Sequence, residues 1–353
     1  MWWYFLIAFI LVVVITPAVK YLALRLGIVD KPDDERKKHL KPTPLLGGLA
    51  VFFVFWLVIG YLALFTHRLS GEIASAKLLG IFIASLIMVI VGVWDDVRNL
   101  PVKTRLVLVS LAILIVILSG LKLGGITNPF GGVIPLDWKT YDLGFLGNLV
   151  LIGDLFAFLW LFGITYTAKI LDGLDGLTAG IIFIGSMMIY FLTQTEKFYQ
   201  PEVGIIALVL AGVCLGFLIF NFYPAKIFLG ESGGLFLGFL LGVLAIISGG
   251  KIATALLALA VPLLDLLRVI ITRWRKGKKI FVGDREHLHF RLIDAGLSHR
   301  QAVLFFYFVA SVFGITTLFL QSAMKLVTLL LLGVAMLAVG WWLNRIARVS
   351  KQN

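Results

Sequence analysis

The chain has 353 residues, 60% of them apolar and only 14% charged, and carries a formal net charge of +12. A soluble domain carries roughly a quarter charged residues, so the composition excludes a soluble globular protein and marks a polytopic membrane protein. The single cysteine, Cys214, excludes an intramolecular disulfide, and its place inside an apolar run reads as packing.

Apolar runs near the membrane-crossing length of about 20 residues predict helices at 2–23, 45–66, 78–94, 104–120, 146–165, 177–194, 203–221, 233–249, 252–272, 302–320 and 325–344. The first run lacks a basic leader and is long enough to span, so it reads as a helix rather than a signal peptide. Continuous apolar stretches exclude a β-barrel, whose strands alternate. The predicted fold is all-α, about eleven transmembrane helices in one integral-membrane domain covering 1–353. Loops 24–44, 95–105, 166–176, 222–232 and 273–301, with the C-terminal tail, hold 22 of the 31 Lys and Arg, and the opposite loops hold seven. The positive-inside bias therefore puts these loops and the C-terminus in the cytoplasm and the N-terminus outside.

The polar residues of interest fall on that face. The first loop carries a cationic cluster, Arg36, Lys37, Lys38 and His39, which by itself reads as a positive-inside anchor. The second puts adjacent carboxylates, Asp95 and Asp96, at the end of the third helix. Side by side they repel and need a cation or a shared proton, and the C-terminal end of a helix disfavours both. Between two apolar runs, TYTAKILDGLDGLTAG places Lys169, Asp172 and Asp175. Ionisable residues kept there are functional by default, the alternative being a polar loop with capping aspartates. The fourth loop brings Phe228 and Glu231 to a glycine-rich helix start, where backbone amides suit phosphate. The fifth and most basic loop holds His287 and His289 beside Asp284, Arg285, Glu286 and Arg291. With no third histidine, phosphate binding or proton handling is preferred to a metal site.

Taken in order, RKKHLKPTPLLGG, the DD of GVWDD, DGLDGLTAG, FLGESGG, and PLLDLLR followed by DREHLHFRL resemble the polyprenyl-phosphate N-acetylhexosamine-1-phosphate transferase family. The likeness is closer to the members that load GlcNAc-1-phosphate onto undecaprenyl phosphate than to the phospho-N-acetylmuramoyl-pentapeptide transferase. It implies a helical bundle, usually dimeric, in a bacterial-type cytoplasmic membrane, with its active site at the cytoplasmic surface. The implied reaction moves a sugar-1-phosphate from a UDP-sugar to polyprenyl phosphate, releases UMP, generally uses Mg²⁺ (or Mn²⁺), and initiates a cell-envelope glycan. By resemblance, Asp95, Asp96, Asp172 and Asp175 are catalytic, with Asp95 orienting or deprotonating the lipid phosphate and Asp172 and Asp175 lining the nucleotide site. Phe228 would stack on uracil. Arg36, Lys37, His39, Lys169, His287, His289 and Arg291 would bind substrate, and Glu231 with Asp95 would hold the metal.

The chain departs from the family pattern at three of these positions. It has Glu231 for the usual Asp, Lys169 for the usual Asn three residues before Asp172, and Phe290 for a third histidine. The first two fall around one metal, so its usual coordination is in doubt: either the Lys169 ammonium takes the metal position and pairs with Glu231 within about 4 Å, or Lys169 turns to lipid phosphate and Glu231 binds Mg²⁺ as Asp would. Two other readings stand beside transfer of GlcNAc-1-phosphate: the same chemistry on another UDP-N-acetylhexosamine such as UDP-MurNAc-pentapeptide, or a relative without activity. The rival class is a secondary transporter, which would place its charged residues near the bilayer midplane.

Overall fold

The computed structural model describes residues 1–30, 42–66, 68, 69, 71, 73, 75–128, 131–142, 148–249, 252–277, 286–320 and 322–349. Among them run thirteen helices: α1 (Trp2–Arg25), α2 (Gly47–Phe65), α3 (Ser75–Arg98), α4 (Val102–Leu118), α5 (Leu151–Leu171), α6 (Leu177–Thr193), α7 (Pro201–Asn221), α8 (Gly230–Ile247), α9 (Ile252–Ala258), α10 (Ala260–Arg275), α11 (Leu288–Asp294), α12 (His299–Phe319) and α13 (Ser322–Val349). In hydrocarbon every backbone polar group must be satisfied within the segment, which is why apolar runs this long become helices. Each predicted run coincides with helix. Seven, α1, α2, α3, α5, α7, α8 and α12, are long and apolar enough to cross a membrane, so the chain is a multi-pass membrane protein.

One predicted helix is divided. The run 252–272 breaks at Leu259 into α9 and α10. Pro262 supplies a reason: it has no N–H to donate, and its ring would clash with the carbonyl four residues earlier, at Ala258. Helix boundaries also shift the site residues. α3 runs through Asp95 and Asp96 to Arg98, and α5 runs through Lys169 to Leu171, so these charges sit in final helical turns rather than in loops.

α8 and α7 form the centre, with most of their residues buried, whereas α1 is largely exposed. The indole N–H of Trp160 on α5 donates to the Gly242 carbonyl of α8 at 3.0 Å, so this buried donor is satisfied where the two helices cross. Outward-facing Trp3 on α1 and Phe319 on α12 are 74% and 80% exposed, which suits lipid contact.

The two ends of the bundle differ. Between α4 and α5 lie two small hairpins. β3 (Gly125–Thr127) pairs with β4 (Val133–Pro135), and β5 (Thr140–Asp142) with β6 (Asn148–Val150). They are separated from the acidic pair by the length of α4, about 25 Å at 1.5 Å per residue. At the opposite end, β1 (Val29–Asp30) pairs with β2 (Thr43–Pro44). Three backbone hydrogen bonds then join the start of α2 to the segment before α8: Phe228 N–H to Pro44 O at 2.8 Å, Gly47 N–H to Phe228 O at 3.0 Å, and Gly48 N–H to Leu229 O at 2.8 Å.

Candidate active site

That seam fixes the N-terminus of α8, and with it Glu231 in the first turn. Asp96 completes the fixation: its Oδ1 accepts the Glu231 backbone N–H at 3.0 Å. A carboxylate misplaced at the end of its own helix thus caps the start of another, on the favourable end of that dipole. Asp95 also has a structural partner, since its Oδ1 accepts the Leu100 N–H at 2.7 Å and holds the α3–α4 turn. Both members of the acidic pair thus have structural partners, which offset the penalty expected for two carboxylates at the C-terminal end of a helix.

The other Asp95 oxygen meets the Arg105 guanidinium from the first turn of α4. Lys169 reaches in from α5, with its Nζ 2.8 Å from Glu231 Oε2 and 4.0 Å from Asp95 Oδ2. The predicted Lys169–Glu231 ion pair is present. Its distance is that of a strong contact, but Glu231 Oε2 makes no directional hydrogen bond among the described residues, so charge rather than alignment holds the pair. Asp172 caps the C-terminal end of α5, outside the spanning segment, and is half-buried. Burial pushes its carboxyl well above the usual carboxylate range, and the charges of Glu231, Asp96 and Asp175 add to the shift. Four carboxylates from three helix ends thus converge with two built-in cations.

The neighbouring loops close around this cluster. Asp175 Oδ2 accepts the Ala225 N–H at 2.9 Å. Asn221 links the same two loops, accepting the Gly176 N–H at 3.1 Å and donating to Ile227 O at 3.1 Å. Tyr307 on α12 donates its hydroxyl to Gly176 O at 2.6 Å. Gly173 leaves room for His289: a Cβ there would stand 2.5 Å from His289 Nε2. The rings of His287 and His289 stack with centroids 5.7 Å apart. His287 is already engaged, with its Nδ1 3.0 Å from Asp265 Oδ2, which also accepts the Leu288 N–H at 2.9 Å. Arg268 clamps the other Asp265 oxygen at 2.8 Å. His287 therefore anchors the start of α11, and its Nε2 is the nitrogen left for a ligand among the described residues.

Of the predicted site residues, Asp95, Asp96, Lys169, Asp172, Asp175, Phe228, Glu231, His287, His289 and Arg291 lie at this end of the bundle. Arg36, Lys37 and His39 fall outside the described residues. Arg105, Asp265, Asn221 and Tyr307 were not singled out in the sequence. In the sequence Arg105 is one of the basic residues of loop 95–105 that make up the charge bias, and the others reveal their roles only through distant partners. Asp95, Asp96, Lys169 and Glu231 sit in terminal turns rather than at mid-helix, which favours an interfacial catalyst over a transporter.

The implied metal does not fit these residues as they stand. Both Asp95 oxygens are engaged, Glu231 faces an ammonium, and among the described residues no group of three or more His, Cys, Asp or Glu is placed to hold an ion.

Comparison with known proteins identifies the family. Residues 78–249 match the family described as glycosyl transferase family 4. A probable undecaprenyl-phosphate N-acetylglucosaminyl 1-phosphate transferase of Bacillus subtilis is 35% identical over 327 residues, covering 90% of this chain and 84% of the relative. A decaprenyl-phosphate N-acetylglucosaminephosphotransferase of Mycobacterium tuberculosis is 33% identical over 318 residues, 83% of this chain and 75% of the relative. An undecaprenyl-phosphate alpha-N-acetylglucosaminyl 1-phosphate transferase of Salmonella typhi is 26% identical over 347 residues, 94% and 87% of the two chains. The family match spans α3 to α8, the helices that carry all four converging carboxylates, and with relatives aligned over nearly the whole length, the chain belongs to glycosyl transferase family 4.

Proposed function

We propose that this protein transfers N-acetylglucosamine-1-phosphate from UDP-N-acetylglucosamine to a polyprenyl phosphate and releases UMP, at the cytoplasmic face of a bacterial-type cytoplasmic membrane. The observation that carries this reading is the meeting of Asp95, Asp96, Asp172 and Glu231 with Arg105 and Lys169 at the end of an apolar bundle. The names of the relatives supply the substrate class.

In this reading an oxygen of the lipid phosphate attacks the phosphorus that bears the sugar. A new P–O–P linkage forms, the old one breaks, and UMP leaves with the bonding electron pair. Such transfer depends on positioning and on neutralising charge at the phosphate oxygens. Arg105, a planar fork 16% exposed beside Asp95, offers its remaining N–H groups to phosphate. Lys169 offers a second positive charge. Asp95 orients the lipid phosphate or takes its proton, Asp172 and Asp175 border the nucleotide, and Phe228 stacks on uracil. Arg36, Lys37, His39, His289 and Arg291 supply further phosphate contacts. The chain works as a homodimer, which light scattering of the purified protein checks.

The test is UMP release by purified protein given undecaprenyl phosphate and a panel of UDP-sugars. UDP-N-acetylglucosamine is expected to be turned over preferentially. Asp95→Asn and Asp96→Asn should each lower release by about a hundredfold or more, while the protein still inserts and elutes as a single species, because asparagine keeps one acceptor oxygen. Near-normal turnover by either variant removes that carboxylate from the chemistry. Release of no UMP from any UDP-sugar removes the reading itself.

A further inference from the structure

We infer that Lys169 is the resident cation of the carboxylate cluster and that its ammonium takes the position from which a divalent ion would bridge Asp95 and Glu231. The inference draws on the proposed phosphate transfer in saying what the cation is for; the occupancy itself follows from geometry.

The Lys169 nitrogen lies between Glu231 Oε2 at 2.8 Å and Asp95 Oδ2 at 4.0 Å, and its side chain is only 13% exposed. The backbone that carries it is packed against α8. α8 passes so close to its backbone that a Cβ at Gly234 would stand 3.1 Å from the Lys169 Cα. A magnesium ion binds oxygens at about 2.0–2.1 Å and demands near-octahedral geometry. To reach both Asp95 and Glu231 it would enter the space the ammonium holds, and two cations so close repel strongly where water is scarce. Asp95 is further tied up by Arg105 and Leu100 N–H.

The ammonium differs from a divalent ion in ways that matter for phosphate. It carries one charge on a flexible stem and donates hydrogen bonds instead of accepting lone pairs. It also travels with the chain, so no chelator can remove it. The two positions at which the sequence departs around one site, Lys169 and Glu231, are thus in contact. The longer Glu231 side chain reaches the lysine while its own backbone N–H stays on Asp96.

The deciding measurement is Mn²⁺ binding to the purified full-length protein in detergent, read by the loss of the free-ion electron paramagnetic resonance signal. Wild type and Lys169→Arg, which keeps the charge, should bind no stoichiometric Mn²⁺ at about 0.1 mM. Lys169→Asn and Lys169→Gln should each gain one site, tighter than any in wild type by about tenfold or more. Stoichiometric binding by wild type at that concentration overturns the inference whether or not the variants fold. So does a folded Lys169→Asn that gains no site. UMP release in EDTA separates this inference from the proposed function. Transfer that survives chelation supports both, and transfer abolished by EDTA and restored by Mg²⁺ overturns the lysine's role while leaving the function intact. Absence of transfer under every condition overturns the function, with the Mn²⁺ titration still deciding the cation.

Discussion

At Asp172 the fold holds a carboxyl half-buried behind the last turn of α5, and burial raises its pKa well above the usual carboxylate range, helped by Glu231, Asp96 and Asp175. Because the folded-state value is the higher one, the folded protein binds this proton more tightly than the unfolded chain does. The stability contributed by that proton is complete below the ordinary aspartate value near 4 and is lost as pH rises through the folded-state value. Asp172→Asn should therefore raise the thermal unfolding temperature of metal-free protein at about pH 7.5, with a smaller gain at about pH 4.5; an equal gain at both means the carboxylate is not strained. The charges of this cluster were legible in the sequence because apolar runs isolate them. Asp96 as the cap of α8 was not, since its partner lies on a helix far along the chain. Nor was Arg105, which looks like any other basic residue of a cytoplasmic loop.

Helices are legible for a different reason: apolar runs of this length have few alternatives in lipid. What escaped was the break at Leu259, although Pro262 marks it in the sequence. A second local signal is Ser298-His299-Arg300-Gln301, in which the Ser298 hydroxyl accepts the Gln301 N–H at 3.3 Å and Gln301 Oε1 accepts the Ser298 N–H at 2.8 Å. This capping box starts α12, whose Tyr307 and Arg300 hold Gly176 and Tyr223. Ser298→Ala should lower unfolding stability by about 1 kcal/mol, and Ser298→Asp should retain it. Thermal unfolding in one detergent decides between a real cap and a decorative one.

Across the whole molecule, the charge bias and the position of the site agree on one polar end. The hairpins between α4 and α5 mark the other. A tag inserted at Asn128 should be reached by a membrane-impermeant reagent from outside intact cells and leave transfer unchanged; labelling confined to inverted vesicles would reverse the orientation. The acidic pair also ties the enzyme to its surroundings. On α3 the carboxylates follow immediately on the apolar stretch 78–94, about 25 Å of helix against a hydrocarbon layer of about 30 Å. A thicker bilayer would draw Asp95 and Asp96 below the headgroups, where a charge is disfavoured, by up to about 2.5–3.5 kcal/mol were it carried to the bilayer centre, and away from the lipid phosphate. Transfer in vesicles of long-chain lipids should accordingly be slower than in short-chain ones. The last turn of a single helix then acts as a depth gauge, and the protein would work best in thin membranes.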